Sequence, residues 1–135
     1  MSTDRPTAGE PPEKELFWLH GEIRTPPFST AARVEAGRLL RQLQQGESLA
    51  MPHSRPMSSI GPRCHELRVR DEKVSWRVFV RIDDDLILVL GIEPKKSRTT
   101  PKSLIDVLQN RLRRYSNAMR EADRMRRAAE QRRET

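Results

Sequence analysis

Hydrophobic and polar positions alternate along two stretches in the middle of the chain. In "CHELRVR" (64–70), His65, Leu67 and Val69 share one face and Cys64, Glu66, Arg68 and Arg70 the other, the period of two that marks a β-strand. In "WRVFVRI" (76–82), Trp76, Val78, Val80 and Ile82 alternate with Arg77, Phe79 and Arg81. The intervening "DEKVS" predicts a hairpin loop. After the turn "DDD" (83–85), "LILVLGI" (86–92) is apolar on both faces and predicts a central strand. Near the start, "ELFWLHG" (15–21) predicts a first strand closed by glycine, and "TPPFS" a turn.

Two other segments follow a helical period. Ser29 or Thr30 can cap a helix running to about Gln45, with Val34, Gly37, Leu40 (or Leu39) and Leu43 as its stripe and Gly46 as its stop. Thr100 and Pro101 predict the cap and first position of a second helix, whose stripe is Leu104, Ile105, Leu108, Leu112, Tyr115 and Met119. Beyond it, Ala118, Ala122, Met125 and Ala129 keep spacings of three and four within "READRMRRAAEQRRET", which predicts either a projecting helix or a frayed basic tail. "ESLAMPHSRPMSSIGPR" (47–63) predicts a long loop with room for a helical turn, and "EPKKSRTT" a basic loop. The expected fold class is α+β: a small, antiparallel-dominated sheet of about four strands with the N-terminal and C-terminal helices on one side. The expected organisation is a disordered lead-in over 1–13, a folded domain over 14–116 and a basic helical extension over 117–135.

Composition adds the question of a partner. The 135 residues hold 26 Lys and Arg against 19 Asp and Glu, a net charge of +7. Such an excess suits an anionic partner, nucleic acid being the commonest; a solvated basic surface is the plainer reading. The single cysteine, Cys64, excludes an internal disulfide and a cysteine-rich metal site, and His20, His53 and His65 lie too far apart in sequence for a zinc motif. No metal, cofactor or small-molecule ligand is implied. The first residues lack the apolar run of a signal peptide, and "LILVLGI" is too short to cross a bilayer, so no membrane association and a cytoplasmic location are expected.

If the two alternating strands pair, Glu66, Arg68, Arg70, Arg77 and Arg81 line one surface while Leu67, Val69, Val78 and Val80 pack on a helix. Lys95, Lys96 and Arg98 can reach its rim, and Arg55 lies in the preceding loop. Arginine forks clamp phosphodiester oxygens bidentately. RNA cleavage then needs a base for the 2′-hydroxyl, cations for the crowded phosphorane and an acid for the leaving 5′-oxygen, and Glu66 is the evident carboxylate. Cross-strand salt bridges on an exposed sheet face account for the same alternation. His65, Trp76 and Tyr115 fall on inward positions, and Cys64 would need a partner base to act as a nucleophile.

The ordered set "ELR", "WRV", an apolar strand, "KK" and "TPK", over about Glu15 to Tyr115, resembles the RelE superfamily of type II toxins, most closely its phage-derived, HigB-like branch. The resemblance implies a RelE-like domain over 14–116. It implies a small basic RNase that cleaves mRNA at the ribosome by 2′-hydroxyl attack and is neutralised by a helix-turn-helix antitoxin. Carried over motif by motif, Arg77 and Arg68 are implied as phosphate and transition-state contacts, and Glu66 matches the "ELR" carboxylate. Lys95 and Lys96 match the basic pair, one of which can protonate the leaving group. Arg55, Arg70, Arg81 and Arg98 are the further RNA-binding candidates. Pro94 stands where many such toxins have an aromatic or hydrophobic residue before the basic pair, and His65 where an aromatic is common before "ELR". The alternative reading is a non-catalytic RNA- or DNA-binding module that acts with the same kind of partner.

Overall fold

The computed structural model describes residues 13–19 and 28–134. The elements are β1 (Glu15–Trp18), α1 (Thr30–Gln44), β2 (Ser54–Pro56), β3 (Cys64–Val69), β4 (Trp76–Ile82), β5 (Leu86–Pro94) and α2 (Lys102–Glu134). They form an α+β domain with one five-stranded sheet in the order β1-β5-β4-β3-β2. β2, β3, β4 and β5 pair antiparallel, and β1 joins β5 in parallel. Residues 1–12 of the expected lead-in (1–13), His20 and Gly21, and Thr25–Pro27 of the expected turn lie outside the described residues.

The helices do not share one side of the sheet, as the sequence had suggested. Ala32, Ala36, Leu39, Leu40 and Leu43 of α1 pack with Leu67, Val69, Val78, Val80, Ile87 and Val89. Leu108 of α2 packs with the alternate residues Cys64, Phe79, Leu88 and Leu90, joined by Leu104, Ile105, Leu112 and Tyr115. Residues that alternate along a strand point to opposite faces, so each helix covers its own face. Each fully buried apolar side chain of Val, Leu, Ile, Phe or Met size contributes roughly 1.5–3 kcal/mol, which favours covering both faces of the sheet.

Helix α1 starts at one of its two expected caps, and α2 starts differently from its expectation. Ser29 caps α1, its hydroxyl accepting from Ala32 N at 3.1 Å, while the Asp71 carboxylate accepts from Ser29 N at 3.0 Å. Hydrogen bonds from the Ser29 hydroxyl and then its backbone N–H hold the Asp71 carboxyl below its usual range and tie the β3–β4 loop to the helix. The α1 stripe begins at Ala32 and Ala36, whereas Val34 is 66% exposed. Gly46, at φ 85°, closes the helix with its N–H on Leu43 O. In α2 it is the Pro101 carbonyl that accepts the first hydrogen bonds, from Leu104 N and Ile105 N, and the buried Thr100 hydroxyl makes no cap bond.

A register shift between Phe79 and Val80 of β4 leaves Leu90 without a direct cross-strand partner. This bulge turns both Leu90 and Gly91 toward α2: Leu90 packs with Leu108, and a Cβ on Gly91 would stand 3.1 Å from Leu108 Cδ2. Past the bulge, Glu93 comes opposite Arg77.

Candidate active site

The short strand β2 supplies what the sequence pattern hid. Its pairing with β3 sets Arg55 opposite Glu66, and β3 pairs in turn with β4, setting Arg68 opposite Arg77. Glu66 therefore sits among three guanidinium groups. Its Oε2 accepts from Arg55 Nη2 at 3.0 Å, and its Oε1 lies 2.9 Å from Arg77 Nε and 3.6 Å from Arg68 Nε.

Glu66 and Arg77 do not line an open surface. Glu66 is 0% and Arg77 2% exposed. The free end of Arg77 points at backbone: Nη2 donates to the carbonyls of Ser97 and, at 3.3 Å, Arg98, and Nη1 donates to Thr99 at 3.4 Å. A guanidinium offers five N–H donors in a rigid fork, and here they hold the 95–100 loop against the sheet. The "KK" loop is thus positioned by Arg77, which in this conformation stands behind the surface.

The other candidates separate in space. Arg68, Arg70 and Lys95 line one cleft of about 480 Å³, together with Glu35, His53 and Ser75. Arg68 N donates to His53 O at 2.9 Å, fastening the loop before β2 to the end of β3. His53 Nδ1 stands 3.9 Å from Glu35 Oε1, and the Arg38 guanidinium holds the Glu35 carboxyl below its usual range. Lys96 lines a second hollow of about 310 Å³ with Arg77, Glu93, Ser97 and Ser103. The adjacent lysines therefore serve different hollows. Arg98 is exposed on the loop that Arg77 holds.

Two arginines counted toward the RNA face have other partners. Arg81 pairs with Asp83 at 2.9 Å and lies over the Tyr115 ring, 5.6 Å from its centroid. Arg55 is bound to Glu66 and lies 3.5 Å from Met57 Sδ. Cys64 is buried, which pushes its thiol up and keeps it protonated. His65 is half-buried on the α1 side, 3.5 Å from Ser54 Oγ, and burial pushes its imidazole down. Trp76 is core, edge-on to Phe28 at 5.1 Å. Glu35 is the cleft residue that the sequence reading missed; its only signal was a carboxylate in α1 with no periodic role.

Among the described residues, no group of three or more His, Cys, Asp or Glu could hold a metal ion. No helix among them is long and apolar enough to cross a membrane.

Residues 26–113 match the family model described as Phage derived protein Gp49-like (DUF891). The chain is a member of that Gp49-like family. The family is a group of RelE-like type II toxins, with an antitoxin as the kind of partner it suggests. The Gp49-like match takes in α1, the whole of β2 to β5 and the first part of α2, and so every residue of the cleft and of the buried cluster. No curated protein and no solved structure gives a significant match.

Proposed function

We propose that this Gp49-like protein is the toxin of a toxin–antitoxin pair of the HigB-like kind and a ribosome-dependent mRNA endonuclease. A helix-turn-helix antitoxin would neutralise it. The observation that carries this reading is the cleft: Arg68, Arg70 and Lys95 converge there with a single carboxylate, Glu35, opposing them. That charge suits a phosphodiester, and fixed cations stabilise the added charge of a phosphorane without reorganising.

In this reading Arg68 and Lys95 hold the scissile phosphate, with Arg70 along the strand. Lys96 and Arg98 contact RNA from the far side of the loop. Proton transfer falls to groups that reach solvent, Lys95 or Lys96 for the leaving oxygen and His53 beside Glu35 for the 2′-hydroxyl. Glu66 and Arg77 are positioning residues: they fix Arg68 on one side and the lysine loop on the other. Arg55 occupies the second carboxylate oxygen of Glu66, and Arg81 braces α2 through Tyr115.

The burial of Glu66 is the observation that favours the second reading, a module that binds RNA or DNA without cutting, because the carboxylate matching the family motif is withdrawn from the surface. Inducible expression in a bacterial host separates the two. The nuclease reading expects growth arrest with cleavage of translated mRNA. Arrest with intact transcripts would establish the binding module, and neither effect from well-expressed soluble protein would end the toxin reading in that host.

A further inference from the structure

The second half of α2 leaves the sheet. Leu104, Ile105, Leu108, Leu112 and Tyr115 still pack, but from Asn117 to Glu134 every residue is exposed apart from the half-buried Asp123. This arm also lies beyond the segment matched to the Gp49-like family, which ends at residue 113. A helix polar all round normally needs a reason to persist, and part of that reason is local: Arg124 pairs with Glu121 and Arg126 with Asp123, each one turn apart.

The pairs leave a directional excess. Arg113, Arg120, Arg124 and Arg127 follow helical spacing on one side, with Asn117 filling the gap in the row. All four arginines are exposed, and two of them have neutral amides as partners: Arg113 donates to Asn110 and Arg120 to Asn117. No carboxylate occupies a position in the row itself, although Glu121 beside it pairs with Arg124 and Asp123 lies close by. Arg113, Arg120 and Arg127 have no ion pair with a carboxylate among the described residues. The row runs about 21 Å at about 1.5 Å per residue. A second copy of the chain would bring the same positive row against itself. The opposite side of the arm carries Ala118, Ala122, Ala129 and the exposed Met125, so the arginine row is separate from the arm's apolar positions.

We propose that this arm is a second, sequence-independent RNA-binding surface, with Arg113, Arg120, Arg124 and Arg127 laid along the phosphate backbone. The choice of RNA as the polyanion rests on the reading of the cleft given above. The arm's binding does not depend on whether the cleft cuts. The test uses the full chain carrying Arg68→Ala, so that the probe survives, and a 20-nucleotide oligouridine followed by fluorescence anisotropy over a salt series. The comparison protein adds Arg113→Gln, Arg120→Gln, Arg124→Gln and Arg127→Gln, with circular dichroism confirming that its helix is intact.

Losing four phosphate contacts should weaken binding by at least about tenfold at low salt and flatten the slope of log K against log salt by about three. Equal affinity and slope for the two proteins overturns the proposal. So does tighter binding of the intact arm to polyglutamate than to RNA, which would point to an acidic protein partner. If wild type fails to cleave mRNA while the slope difference appears, the nuclease reading fails and the arm proposal stands.

Discussion

Arginine occupies two opposite environments in this protein. At the centre of the sheet Arg77 is 2% exposed, with Glu66 at 2.9 Å and the carbonyls of the 95–100 loop around it. On the projecting half of α2, Arg124 pairs with Glu121 while its side chain remains 76% exposed. The first pair has been taken out of water, so each charge depends on the other. The second has water as a ready substitute. A salt bridge on a diagram therefore says little until its burial is known.

The largest effect that would break this contrast is truncation at the centre. Arg77→Ala leaves the Glu66 carboxylate buried without its closest cation and releases the lysine loop; a loss of about 3–5 kcal/mol is expected. Arg124→Ala should leave the unfolding midpoint unchanged. Urea unfolding of the two variants checks both, and comparable losses would refute the distinction.

Packing beneath the arm sharpens it. Gly91→Ala would place a Cβ 2.8 Å from Arg111 Nη1 and 3.1 Å from Leu108 Cδ2. Arg111 cannot simply swing away, because Nη1 donates to Leu90 O at 2.8 Å. Overpacking of this kind costs about 1–3 kcal/mol, and calorimetry should show a lowered Tm with the arm still helical.

A smaller effect is set by pH. Burial lowers the His65 pKa from 6.5, so as pH falls the unfolded chain takes up that proton first. Its contribution is complete above the unfolded value and is lost as pH falls below 6.5 toward the folded value. His65→Gln should flatten that part of the stability profile, and an unchanged profile would remove His65 as its cause.

Much of the fold was legible because β3 and β4 largely alternate, β5 is a short run apolar on both faces and each helix has an apolar stripe. What escaped has physical causes. β2 is three residues long and ends in Pro56, so it lacks a readable period. The bulge at Leu90 shifts the facing of everything after it, invisibly to a period-two pattern. Alternation put Glu66, Arg68 and Arg77 on one face correctly, yet it could not say that α2 and the lysine loop close over that face. Lys95 and Lys96 read as a pair, whereas the turn out of β5 sends them to separate hollows. The cleft was half legible: Arg68, Arg70 and Lys95 were named, but Glu35 arrives from a helix far away in sequence.

In the proposed nuclease Arg77 builds the site and Arg68 works in it. The most direct test measures unfolding free energy and cleavage of translated mRNA for Arg68→Ala and Arg77→Ala beside wild type. The expected result is an Arg68→Ala protein as stable as wild type to within about 1 kcal/mol but without cleavage, and an Arg77→Ala protein that loses both. An Arg68→Ala protein that cleaves at the wild-type rate would contradict it.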